Sequence, residues 1–156
     1  MTPGNLLLLD SNILLAATNS GRDQHASARR LFTACREAGL HLAVCGQVLR
    51  EYLVVCTRPV SGNGFGMGQQ HAVQNMRWFH GQALFLEETA DVFQAFTRIV
   101  EEFQVHGKRM HDASIAAVCV THSVDLLVTL NPADFSFHPG VSTSSPVDLL
   151  QQLTER

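Results

Sequence analysis

At 156 residues, with 46% hydrophobic and 16% charged side chains, the chain has the make-up of one globular domain with an ordinary core, which excludes a disordered or fibrous protein. No apolar run approaches the ~20 residues needed to cross a bilayer. Residues 1–5 carry no basic segment ahead of the short run Leu6–Leu9, so no leader and a cytoplasmic location are expected. The net charge of −3 argues against an indiscriminate nucleic-acid binder, but not against an enzyme whose acids are neutralised by metal.

Leu6–Leu9 reads as a buried strand of a parallel sheet, with Asp10 at its carboxyl end, the usual mouth of an α/β site. Either Ser11 or Asn12 can cap a helix that follows. Residues 24–38 show a helical pattern, with Ala28, Leu31, Phe32 and Cys35 on one face, and Gly39 stops it. A strand at 41–44 leads into a helix carrying Val48, Tyr52 and Val55, which Pro59 ends. The apolar helices around Leu31 and 48–55 offer either core or a partner surface. In 61–68 glycine recurs at every second position after a helix. It therefore lacks the dinucleotide-binding spacing and reads as a flexible loop suited to holding substrate.

A helix at 69–80 and a strand at 83–85 come next. Thr89 caps a helix whose stripe is Val92, Phe93, Phe96, Ile99, Val100 and Phe103, read as core, and Gly107 closes it. Asp112 opens another helix, with Ile115, Ala116, Val118 and Cys119 inward. A strand at 125–129, a turn at 131–135, an edge strand at 141–143 and a helix at 146–153 complete the order. Strand–helix alternation implies an α/β three-layer sandwich: a parallel sheet of four or five strands with helices on both faces, in a single domain over 1–156. Cys35, Cys45, Cys56 and Cys119 form no CxxC pair and read as small buried hydrophobes, not a zinc site.

Four carboxylates, Asp10, Glu51, Asp112 and Asp134, stand at or beside strand and helix ends. Each has a local explanation on its own, as a cap, a turn residue or a solvated helix position. Gathered at one crevice they would repel one another, and a divalent cation with hard oxygen ligands, Mg²⁺ or Mn²⁺, would relieve this. Arg50, Arg58, Lys108 and Arg109 lie beside these acids in sequence and suit a phosphate-bearing substrate, although ordinary surface charge accounts for each one too.

The motifs Leu9-Asp10-Ser11-Asn12-Ile13-Leu14, Val48-Leu49-Arg50-Glu51-Tyr52 and His111-Asp112-Ala113-Ser114-Ile115-Ala116-Ala117 occur in that order, followed by the segment from Leu126 to Phe135. In order and spacing they resemble the PIN-domain ribonucleases, and most closely the VapC-type toxins of bacterial toxin–antitoxin pairs. The resemblance implies a PIN-like sandwich with Asp10, Glu51 and Asp112 as metal ligands. The fourth position is open between Asn131 and Asp134. Ser11 and Asn12 would position ligands or a water, and Thr129 would bond in the same cluster. It further implies an Mg²⁺- or Mn²⁺-dependent endoribonuclease, RNA as substrate, a small antitoxin protein as partner and a homodimer.

His111 reads as an orienting residue. A haloacid-dehalogenase-type phosphatase would need a second acid where Asn12 stands, and a response-regulator receiver lacks its acidic pair here. A catalytically silent PIN-fold module that binds RNA or protein is the alternative, because Asn131 stands where many relatives carry an acid.

Overall fold

Four consecutive leucines leave a strand no polar face, so it must be covered on both sides. Leu6–Leu9 accordingly forms β1, the middle strand of a five-stranded sheet, with Leu7, Leu8 and Leu9 buried. The computed structural model describes residues 5–155. The segment 1–4, read above as free of a basic leader, lies outside the described residues.

After β1 come α1 (Ser11–Thr18), α2 (His25–Glu37), β2 (His41–Cys45), α3 (Gly46–Thr57) and α4 (Gln69–Gln82). Then follow β3 (Leu84–Leu86), α5 (Ala90–Glu102), α6 (Arg109–Thr121), β4 (Leu126–Val128), β5 (Thr143–Ser144) and α7 (Pro146–Thr154). Short 3₁₀ turns occupy Val60–Gly62 and Pro132–Phe135. Every strand pairing is parallel, in the order β3-β2-β1-β4-β5. The chain therefore leaves β1 for β2 on one side and returns to β4 on the other. That reversal opens a crevice at the carboxyl ends of β1 and β4. Helices cover both faces, as an α/β sandwich requires.

Several local expectations are corrected. Neither Ser11 nor Asn12 caps α1. Asp10 does, accepting from the Ser11 N–H. α5 ends at Glu102 before Gly107; Gln104 takes the left-handed conformation and Gly107 lies in the connection to α6. α6 begins at Arg109, three residues before Asp112, which lies in its first turn. Phe93 is 67% exposed, because the buried side of α5 is Val92, Ala95 and Ile99. The last two strands are shorter or shifted, at Leu126–Val128 and Thr143–Ser144.

The 61–68 segment is not a free loop. Pro59 has no N–H to give the Val55 carbonyl, so α3 ends with unsatisfied acceptors. Phe65 N–H donates to Val55 O at 3.0 Å, Met67 to Cys56 O at 2.8 Å and Gly66 to Arg58 O at 2.8 Å. The segment is thus a strap laid along the end of α3. Phe65 and Met67 pack on the core beneath it.

Leu31 and Val48 are core residues. Tyr52, on α3, is fully buried with its hydroxyl 2.8 Å from Thr18 Oγ1. Thr18 gives its own proton to Leu14 O, so the tyrosine is the donor to Thr18. Tyr52→Phe is therefore expected to cost about 1 kcal/mol in urea unfolding. The four cysteines are buried and unpaired, and burial pushes the thiols of Cys35 and Cys45 up to about 11 and Cys119 up to about 12. They are small hydrophobes as expected. No described helix is long and apolar enough to cross a membrane.

Candidate active site

Asp10 terminates β1 and caps α1, so its carboxylate points into the crevice while doing structural work. Its Oδ1 accepts from Ser11 N at 2.7 Å, and its Oδ2 accepts from the Thr129 hydroxyl at 2.8 Å and from Asn12 Nδ2 at 3.4 Å. Thr129, directly after β4, has no exposed surface. Its oxygen also accepts from Asn12 Nδ2 at 3.2 Å and from the Asn131 N–H at 3.1 Å. Asn12 Oδ1 accepts from Leu130 N at 3.1 Å. This knot ties the ends of β1 and β4 together.

Glu51 enters from α3. The Ser11 hydroxyl donates to its Oε2 at 3.0 Å, and Gln47 Nε2 donates to its Oε1 at 2.8 Å. Gln47 Nε2 also donates to the His111 carbonyl at 3.1 Å, bridging α3 to α6. His111 Nδ1 stands 3.9 Å from Glu51 Oε1 on a largely exposed ring. Gln47 was not anticipated. The available signal was a polar residue one turn before Glu51, on a helix whose neighbours there are apolar. Glu88 was missed as well. It lies just past β3 and its Oε1 accepts the Gln47 N–H at 2.9 Å, serving the α3 start, where Cys45 supplies no side-chain cap. A Cβ at Gly46 would meet only the tips of the Arg50 and Glu88 side chains, which can shift to admit it.

Asp112 is partly buried in the first turn of α6. Burial first, then the charges of Asp134, Asp10 and Glu51, push its carboxyl up to about 6, with Arg109 opposing. Asp10 is also raised, chiefly by burial, against the hydrogen bonds from Thr129 and Ser11, with Glu51 and Asp134 adding to the rise. The four acids thus share one electrostatic neighbourhood. Of the two residues expected for the fourth position, Asp134 contributes this charge. Asn131 contributes only its backbone N–H to the knot.

All donors here are oxygens from carboxylates, hydroxyls and an amide, which suits a hard cation such as Mg²⁺ or Mn²⁺. Among the described residues, no three His, Cys, Asp or Glu side chains close into a ready-made metal cage. Part of the rise at Asp112 comes from its acidic neighbours, and a bound cation would remove that repulsion.

A model of the PIN domain matches residues 6–133. The chain belongs to the PIN-domain family. Ribonuclease VapC24 of Mycobacterium tuberculosis is 29% identical to this PIN domain over 137 residues, which span 84% of this chain and 90% of that protein. VapBC2 from Rickettsia felis, solved bound to a DNA fragment from its promoter, superposes with a TM-score of 0.68. That match has 17% identity and covers 90% of this chain and 98% of that one. VapC20 of Mycobacterium tuberculosis, a sarcin-ricin loop cleaving toxin, gives a TM-score of 0.56 at 20% identity, over 78% and 86% of the two chains. At these identities the solved structures establish the shared fold.

The four cations singled out in the sequence are placed differently in this PIN domain. Arg50 Nη2 pairs with Glu88 Oε2 at 3.1 Å, so its charge is balanced. Arg58 Nη2 donates to the Asn63 carbonyl at 3.2 Å and keeps its net charge. Arg109 lies over the Phe137 ring, 5.0 Å from its centre, and acts electrostatically on Asp112. Lys108 is exposed at the start of α6.

Proposed function

We propose that this single-domain protein is a metal-dependent endoribonuclease hydrolysing RNA phosphodiester bonds, and the toxin of a toxin–antitoxin pair. The observation that carries the reading is the gathering of Asp10, Glu51, Asp112 and Asp134 in one electrostatic neighbourhood, with Asp112 raised by burial first and then by its acidic neighbours. The similarity to Ribonuclease VapC24 along most of both chains supports RNA as the substrate.

Asp10, Asp112 and Asp134 would hold Mg²⁺ or Mn²⁺, with Glu51 completing the set. When bound, the ion supplies an acidified water and charge neutralisation at the phosphate. Asp10 is fixed by Thr129 and Ser11, so it orients with little freedom. Glu51 is likewise fixed between Ser11 and Gln47. One carboxylate of the cluster would accept the proton of the attacking water. Arg58, Lys108 and Arg109 meet the RNA backbone. An antitoxin protein as inhibitor, a homodimeric assembly and a cytoplasmic location complete the reading. The solved complex from Rickettsia felis supports the antitoxin.

The test is incubation of total RNA with purified protein and Mg²⁺ or Mn²⁺, beside EDTA. Discrete fragments that appear with metal and vanish with EDTA are expected. The alternative, a silent module that binds RNA or protein, draws on Asn131 offering no carboxylate. RNA binding without cleavage in either metal, from folded protein freed of any partner, would favour it over the nuclease.

A further inference from the structure

Along α3, one turn past Glu51 and beyond, a cavity of about 580 Å³ opens beside the acids. Ser11, Glu51 and His111 line it together with Val54, Arg50 and Arg58. Arg50, Val54 and Arg58 are spaced four residues apart, so they share one side of the helix. Arg58 lies about 10 Å along the axis from Glu51. Val54 between them is 57% exposed.

Both guanidiniums are held by acceptors outside the acid cluster, which leaves their remaining N–H groups available to the cavity. Glu88 holds and neutralises Arg50. The neutral carbonyl of Asn63 holds Arg58, and Asn63 can present it because it adopts a left-handed backbone, φ 61°. The strap itself is fixed by its bonds to the end of α3 and by Arg22 stacked 5.5 Å over Phe65. Gly64 passes so close that a Cβ there would run into the Arg58 carbonyl.

We propose that the glycine strap is a positioning device for Arg58, and that single-stranded RNA runs from the acids along α3 with the neighbouring phosphate held by Arg58. Arg50 adds hydrogen bonds but little net charge. Val54 covers the sugar or base between the two phosphates. The proposal rests on the ribonuclease reading and deepens it by giving the substrate strand a direction across the surface. It also gives a role to the one glycine-rich segment of the chain, which the acid cluster leaves unused.

The experiment uses full-length protein carrying Asp112→Asn and a fluorescently labelled single-stranded RNA oligonucleotide, with binding followed by anisotropy across a salt series. Arg58→Ala should weaken binding about tenfold and reduce the slope of log K against log salt by about 0.7, as expected for one lost phosphate contact on a single strand. Arg58→Lys should restore the slope and only part of the affinity, because the fork geometry is lost. Arg50→Ala should cost only about two- to threefold, its charge being balanced already. Gly64→Ala should weaken binding like Arg58→Ala, and the double variant should bind no worse than either single one, because both remove the same contact.

Unchanged affinity and slope in Arg58→Ala would overturn the proposal, as would additive effects of Gly64→Ala and Arg58→Ala. Arg58 is exposed and bonded by one side-chain contact, so its variants carry the test if Gly64→Ala fails to fold. The two readings separate cleanly. Cleavage by otherwise native protein whose KM is unmoved by Arg58→Ala sinks the strap and spares the nuclease. Arg58-dependent binding without cleavage does the reverse.

Discussion

Asp112→Asn is expected to lower RNA cleavage by about 10²–10³-fold, the scale seen when one preorganised charge-stabilising group is removed. The same substitution should make the metal-free protein more stable. The Asp112 carboxyl titrates near 3.8 when unfolded and near 6 when folded. A raised carboxyl means that ionisation disfavours the fold. Stability is therefore greatest with the group protonated, and it declines as pH rises from about 3.8 through about 6. The shift of about two units corresponds to ~3 kcal/mol at most. Asp112 is only partly buried, and solvent screening brings the expected gain nearer 1 kcal/mol.

In EDTA at pH 7, the variant should melt about 2–4 °C above the parent, the shift that 1 kcal/mol produces in a protein of this size. Below pH 4 the difference should vanish, because the parent is then neutral at this position too. A variant that melts lower at pH 7 would show that the acids do not strain one another. Added Mn²⁺ should stabilise the parent more than the variant, which keeps three of the four acids.

Thr129→Val is expected to be the most damaging conservative change near the site, at about 2–4 kcal/mol in urea unfolding. The hydroxyl has no exposure. It donates to Asp10 and accepts from Asn12 and from the backbone of Asn131. Valine is close in volume yet removes the shorter of the two side-chain bonds to Asp10 Oδ2 and the acceptors of Asn12 Nδ2 and the Asn131 N–H, losses of about 1 kcal/mol or more each. Activity should fall with stability, because Asp10 loses the bond that aims it. Thr129→Ser keeps the hydroxyl and should recover most of both. If valine and serine behaved alike, the hydroxyl would not be what holds the knot.

How much of this could be read from residues alone follows from the range of each interaction. β1 and Asp10 were legible because four leucines admit only a doubly covered strand, and the residue after such a strand faces the crevice. Glu51, Asp112 and Asp134 were legible as residues at element ends. Their mutual influence was not, since it depends on how α3 and α6 lean over the sheet. Glu88 escaped because it acts on Gln47 across 41 residues, and Gln47, one turn before Glu51, because an amide at that spacing looks like any polar residue of a helix. Phe93 was misplaced because the apolar stripe of α5 is wider than the surface it buries. The strap was misjudged because glycine composition suggests freedom, whereas the carbonyl left open by Pro59 recruits that segment into fixed hydrogen bonds.

The bond between Asp10 and Thr129 spans 119 residues. Contacts of such separation form late, after shorter loops have closed, and chains fold from the N-terminus as they are synthesised. A nascent chain that has made β1 to α6 already carries Asp10, Glu51 and Asp112, yet it lacks Thr129, which holds Asp10 in place. On the ribonuclease reading proposed above, a copy still on its ribosome that has been made only as far as α6 would lack both Asp134 and Thr129, and so could not yet assemble the acids.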